Sequence, residues 1–112
     1  SAWLHYRICR LQSNLVTTMQ FAPSLNDGRL VLISDMDGGG LVVIDTQSRR
    51  VLNRLPVGRM PEGILVTPDG TRAYVAVTGD NRVSVVDLAT LRITQSIETG
   101  NGPDGMAWVS LQ

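Results

Sequence analysis

A spacing of 42 residues recurs through the chain and needs no gap. Asp27-Gly28 returns as Asp69-Gly70, Asp45 as Asp87, Gly58 as Gly100, and Pro61-Glu62-Gly63 as Pro103-Asp104-Gly105. A fixed period of roughly 40–45 residues marks one sheet-sized unit, copied and stacked because it cannot bury its own flat sides. The 112 residues hold about two and a half such units.

Within one period the chain reads as four strands. Ile64-Leu65-Val66-Thr67 is a short apolar run ended by Pro68-Asp69-Gly70. Proline presets φ there and glycine accepts a positive one. Arg72 to Val77 follows, rich in strand formers, and Gly79-Asp80-Asn81 breaks it. Arg82 to Asp87 is the third run, and its final carboxylate can bond the amides of the next turn. The more polar stretch 91–99 is the fourth. The earlier unit gives strands over 18–23, 30–34, 41–45 and 50–57, with Ser24-Leu25-Asn26 lengthening its first hairpin. Residues 4–11 read as an outer strand of a preceding unit, and 106–111 as the inner strand of a following one. The expectation is ten strands and no helix, since apolar residues never recur at helical spacing without a Gly or Pro interruption.

The middle strands are apolar on both faces: Leu30-Val31-Leu32-Ile33, Leu41-Val42-Val43-Ile44, and Val83 to Val86 with Ser84 between. A sheet with one wet face would alternate. Continuous runs imply burial from both sides, which four-stranded sheets packed face to face around an axis provide.

Composition limits function mainly by exclusion. A formal net charge of zero gives no support to a nucleic-acid or anionic-membrane surface. No apolar stretch approaches the ~20 residues of a membrane-spanning helix. Cys9 is the single cysteine and forms no internal disulfide. His5 lies four residues from Cys9. On a strand that separation is ~13 Å, too far to share a metal. Cys-x-x-Cys-His is absent, so covalent haem is unsupported, and no Ser/His/Asp trio can be assembled. Asp35-Met36-Asp37-Gly38 begins like a calcium loop, but Gly39 and Gly40 stand where further ligands belong, which reads as a strand-to-strand turn.

With Ala73-Tyr74-Val75-Ala76-Val77, Val83-Ser84-Val85-Val86-Asp87, and the Pro-Glu-Gly and Pro-Asp-Gly tripeptides, the chain resembles the YVTN β-propeller repeat family over about residues 16–110. Ala76-Val77 replaces the usual polar end of the signature, and Leu32-Ile33-Ser34 is a weaker match in the earlier unit. The resemblance implies an all-β fold: a β-propeller segment of two complete four-stranded antiparallel blades, with part-blades at each end. The expected divisions are 1–15 (outer strand of a preceding blade), 16–58 and 59–100 (blades), and 101–112 (inner strand of a following blade), all within one propeller domain and expected to be a piece of a longer polypeptide. It also implies that strand 64–67 lies nearest the axis. The connections 58–63 and 100–105 would then share one rim with the turns 35–40 and 78–82. Gly63 and Gly105 are expected to permit close backbone approach there, with positive φ.

That rim supplies the candidate ligand-binding residues: Arg59, Glu62, Asp80, Asn81, Asn101 and Asp104. Glu62 and Asp104 are repeat-equivalent carboxylates able to hold a cation or steer a basic ligand, or merely to cap a turn. No catalytic residue, metal ligand or cofactor is expected. The leading functional reading is a non-catalytic binding or scaffold module that recognises a protein or small molecule through its rim loops. The alternative is a piece of a propeller enzyme, lactonase-like or linked to haem or quinone redox chemistry. Expected partners are a rim ligand and either the remaining blades of a longer chain or further copies. A bacterial, extracellular or periplasmic setting is implied by the resemblance alone.

Overall fold

The computed structural model describes residues 16–23 and 29–109. Eight strands follow one another: β1 Val16–Pro23, β2 Arg29–Asp35, β3 Gly40–Asp45, β4 Arg50–Leu55, β5 Pro61–Val66, β6 Arg72–Val77, β7 Arg82–Asp87 and β8 Arg92–Glu98. They form two antiparallel sheets, β1-β2-β3-β4 and β5-β6-β7-β8, each in chain order. The one helical element among the described residues is a single 3-10 turn, Thr78–Asp80, between β6 and β7.

The 42-residue period holds at the level of hydrogen-bond register. Leu30 pairs with Asp45 as Arg72 pairs with Asp87, and Asp35 pairs with Gly40 as Val77 pairs with Arg82. Even the irregularities repeat. The ladder breaks between Val43 and Ile44 in the first sheet and between Val85 and Val86 in the second, leaving Leu52 and Thr94 as the extra residues of equivalent bulges. Left-handed residues repeat too: Arg49 with Leu91, Gly39 with Asn81, and Met60 with Gly102. The first strands alone depart from the period. Met19 pairs with Ile33 as Ile64 pairs with Val75, so the first hairpin is three residues longer than the second.

Turn chemistry follows the expected residues. Asp45 Oδ1 accepts from the amide of Gln47 at 2.9 Å, and Asp87 Oδ1 from the amides of Ala89 and Thr90 at 2.8 and 3.1 Å. Asp69 Oδ1 accepts from the Thr67 hydroxyl, the Thr71 amide and the Thr71 hydroxyl at 2.6, 3.0 and 2.8 Å. These bonds hold its carboxyl well below the usual range, at about 2, with the Thr67 hydroxyl bond the largest contributor.

The sheets stack face to face. Leu30, Leu32, Leu41, Val43 and Leu55 of the first pack with Ile64, Ala73, Val75, Val77 and Val86 of the second. Each buried Val or Leu contributes on the order of 1.5–3 kcal/mol by leaving water. The opposite side of the first sheet is also dry, with Val31, Ile33, Val42 and Ile44 fully buried. Stacking is directional. Leu55 of the first sheet is 7% exposed, whereas its repeat equivalent Ile97 is 40% exposed. The second sheet thus presents outward the face that the first buries against it.

Three side-chain hydrogen bonds tie the stack to its connections. Ser84 Oγ and Arg82 Nη2 both donate to the Val57 carbonyl, at 2.9 and 3.0 Å, and Ser34 Oγ donates to the Glu62 carbonyl at 2.9 Å.

Three expectations need correction or fall away. Residues 103–109 form no strand, so the inner strand expected over 106–111 is absent as far as Val109. A first strand takes its ladder from the second strand of its own sheet, and no such strand is among the described residues. Neither Gly63 nor Gly105 has positive φ. Gly63 is needed instead for space: a Cβ there would sit 2.1 Å from the Asp104 carbonyl oxygen, whereas one on Gly105 would meet nothing within 4 Å. The strand expected over 4–11, the readings of Trp3, His5, Tyr6 and Cys9, the residues 24–28 and the end of the last expected strand lie outside the described residues.

Candidate functional site

The rim is built where the β4–β5 crossing passes between two turns. Gly58 makes the passage possible. Its φ is +137°, and a Cβ would collide with Val77 Cγ1 at 2.6 Å, Asp80 Oδ2 at 2.7 Å and Arg82 Nη2 at 2.8 Å. The amide of Gly58 donates to the Gly39 carbonyl at 3.3 Å, the amide of Thr78 to the Met60 carbonyl at 3.1 Å, and the amide of Gly79 to the Arg59 carbonyl at 3.0 Å. The crossing is therefore tied to a turn from each sheet.

Between them lies an open cleft of ≈ 480 Å³. Met36, Asp37, Gly38 and Gly39 of the β2–β3 turn, Pro56, Gly58, Arg59 and Met60 of the crossing, and Asp80 line it.

Arg59 and Asp80 meet there. Arg59 Nε donates to Asp80 Oδ1 at 2.7 Å, its amide to Oδ2 at 2.9 Å, and its Nη2 to the Gly79 carbonyl at 2.8 Å. Arg82 Nη2 stands 3.7 Å from Oδ2. The Asp80 carboxyl is held below its ordinary range, first by the Arg59 amide and then by the Arg59 side chain. Asn81 is left-handed, a conformation asparagine tolerates, and its Oδ1 accepts from the Gly102 amide at 3.0 Å. The other candidates stand apart from the cleft. Glu62 Oε2 accepts from the Thr78 hydroxyl at 2.5 Å, and the Pro103 carbonyl lies 2.6 Å from the same hydroxyl. That group has one proton, so it serves these acceptors in turn. Asn101 and Asp104 are exposed, and Asp104 touches the scaffold through its backbone over Gly63.

The structure therefore brings Arg59 and Asp80 together, sets Asn81 beside them, and uses their polar groups mostly to brace the rim. The calcium-like turn is similarly occupied. Asp35 Oδ1 accepts from the Gly38 amide at 3.0 Å and Oδ2 from Arg54 Nη1 at 2.9 Å. No group of three or more His, Cys, Asp or Glu side chains is placed to hold a metal among the described residues.

Sequence reasoning did not single out Met36, Pro56 or Met60 as site residues. One signal was available. Met60 occupies the place that Gly102 fills one period later, and it is left-handed with φ +53° and 45% exposed. A second groove of ≈ 390 Å³ lies at the opposite end of β5, lined by Gln20 and residues 64–70. Its one ionisable group, Asp69, spends its carboxylate on the turn.

No family model matches the chain. Over 47 residues it is 49% identical to the PE-PGRS family protein PE_PGRS18 of Mycobacterium tuberculosis (strain ATCC 25618 / H37Rv), covering 42% of this chain and 10% of that protein. Over 95 residues it is 28% identical to antigen Lp49 of Leptospira interrogans serogroup Icterohaemorrhagiae serovar copenhageni, covering 72% of this chain and 21% of that protein. Among solved structures it is similar to the hydrazine synthase of Kuenenia stuttgartiensis, with a TM-score of 0.67 and 28% identity over 84% of this chain and 28% of that one. The chain thus spans less than a third of the length of any of these proteins. Two consecutive four-stranded meanders stacked in register, together with this structural likeness, make the chain a β-propeller-like repeat fold.

Proposed function

We propose that the chain is a segment of a β-propeller of the YVTN repeat type, acting as a non-catalytic module that binds a protein or small molecule at its rim. The observation that carries this reading is the cleft between the β2–β3 turn, the β4–β5 crossing and the β6–β7 turn. Its frame is braced by the Arg59–Asp80 pair and by three inter-loop backbone bonds. Its lining carries side chains that the scaffold does not use. Propeller rims carry recognition because the strands are committed to packing while the loops are free to vary.

The second reading is part of a propeller enzyme, favoured by the likeness to hydrazine synthase. Fold likeness carries no chemistry by itself, and the chain offers no assembled catalytic group among the described residues to localise a reaction. An extracellular or periplasmic bacterial setting follows from the family resemblance alone.

A further unit of the same repeat is proposed to pack on the outward side of the second sheet, at its exposed β8 edge. Ile97 is exposed there while Ala76, Val83 and Val85 on the same face are buried, and the first-sheet equivalents of Val83, Val85 and Ile97 are Leu41, Val43 and Leu55 of the buried stack.

Selection of peptides from a displayed random library, followed by hydrogen exchange on the bound chain, tests the rim assignment. Protection confined to residues 36–39, 56–60 and 78–82 is expected. Protection at the Thr67–Thr71 end, or over the flat face of the second sheet, would overturn it.

A further inference from the structure

The repeat provides an internal control on which rim residues the fold demands. Positions 42 residues apart do the same structural work here, down to bulges and left-handed turns. Where one copy carries a side chain that makes no hydrogen bond to the frame, the scaffold gives no reason for it; Thr78 and Gly79 in the second copy are used, one through its hydroxyl and the other because a Cβ would lie 2.9 Å from the Arg59 carbonyl oxygen. The cleft collects such side chains. Met36 stands opposite Thr78, Asp37 opposite Gly79, Pro56 opposite Glu98, and Met60 opposite Gly102.

Met60 is the most telling. Its φ of +53° places a side chain in the region that disfavours L residues, where the other copy uses glycine at +64°. The strain burdens the fold, and the side chain is 45% exposed rather than packed. Asp37 adds the second half of the argument. It is exposed and has no hydrogen bond or ion pair among the described residues. Every other carboxylate of this rim corner is engaged: Asp35 by Arg54, and Asp80 by Arg59 with Arg82 beyond. The cleft therefore offers one unmatched negative charge beside two thioethers and a proline ring.

Resting on the rim-binding reading above, we propose that this cleft receives a lysine side chain of a protein partner. The ammonium meets the Asp37 carboxylate, and the methylene stem lies between Met36 and Met60. The match is one of charge and of polarity along the length of the side chain. A lysine buries its stem on apolar surface while keeping its head at a polar site. Methionine walls adapt to such a flexible chain. Among the described residues, the one cation lining the cleft, Arg59, is already paired with Asp80, so an anionic ligand would meet Asp37 without a free cation, and the cleft offers no aromatic face for a guanidinium to stack on.

The experiment is an amide-resonance titration of the 15N-labelled 112-residue chain with Ac-Gly-Gly-Lys-Gly-Gly-amide. Parallel arms use the same peptide carrying Nε-acetyl-lysine and one carrying glutamate. The lysine peptide is expected to shift the Gly38, Gly39 and Arg59 resonances, and the other two to leave them in place. Asp37→Asn should weaken the lysine peptide about threefold, the scale of a partly exposed ion pair, and raised salt should do the same. Met60→Gly should also weaken it, in a protein that melts no lower than the wild type, because glycine suits the left-handed site. Equal shifts with acetyl-lysine, or an Asp37→Asn variant that binds as tightly as wild type, would overturn the assignment. Cleft shifts with the glutamate or acetyl-lysine peptide alone would sink the lysine proposal while leaving rim binding intact. Shifts at the opposite end of the sheets would remove both.

Discussion

Gly63 and Gly105 occupy equivalent places in the repeat, and the structure assigns them opposite sensitivities. An ideal Cβ on Gly63 would lie 2.1 Å from the Asp104 carbonyl oxygen and 3.0 Å from its carbon. Ordinary contact begins near 3.4 Å. Alanine at 63 must therefore push the backbone of residues 103–105 away by more than 1 Å (the shortfall between 2.1 and 3.4 Å), straining a segment that the Thr78 hydroxyl holds through Pro103. Overpacking of this kind costs about 1–3 kcal/mol. Part is offset, because removing a glycine restricts the unfolded chain and returns about 0.4–1 kcal/mol. Gly105→Ala meets nothing within 4 Å and needs no positive φ, so only the favourable part remains. The two variants should differ by roughly 1–3 kcal/mol, with Gly63→Ala the less stable. Equilibrium urea unfolding of both variants and the wild type reads this directly. For a domain of this size each kcal/mol also moves the melting midpoint by several degrees. Equal shifts, or a less stable Gly105→Ala, would show that the segment does not cross β5 at Gly63.

Three further outcomes follow from the same geometry. The Asp69 carboxyl is lowered in the fold from 3.8 to about 2, so the unfolded chain takes up its proton first; the stabilisation is complete above about pH 4 and is lost as pH falls toward 2. Asp69→Asn should flatten that acid limb in melting curves, and an unchanged limb would refute the turn assignment. Ser84→Ala removes one of two donors to the Val57 carbonyl; because Arg82 still serves that oxygen, the loss should stay near 0.5–1.5 kcal/mol by denaturant unfolding, and a larger loss would mean that Arg82 does not substitute. The exposed side chains of Val51, Leu52, Ile93, Ile97 and Val109 should drive self-association, and a clean monomer by light scattering at ~0.1 mM would count against these exposed outer-strand positions as an interface.

The sequence alone determined the period, the four-strand unit and the turn residues, while the sharing of one rim by the crossing and the turns was implied by the family resemblance. The first three are written locally. A proline and a glycine end a strand, an aspartate closes the next turn, and two-sided apolar runs demand cover on both faces. The strand breaks repeat at 42 residues because each unit solves the same packing problem. Tertiary structure alone decided the rest. Gly63 and Gly105 look alike in the chain, yet only one has a carbonyl above it, because crowding depends on which segment passes over. Arg59, Asp80 and Asn81 were legible as rim residues, but their use as braces was not, since a hydrogen bond across 21 residues leaves no trace in spacing. The methionine walls of the cleft escaped notice for the same reason. A side chain becomes part of a site only when two turns and a crossing are folded against one another, and that is a property of the stack rather than of any one repeat.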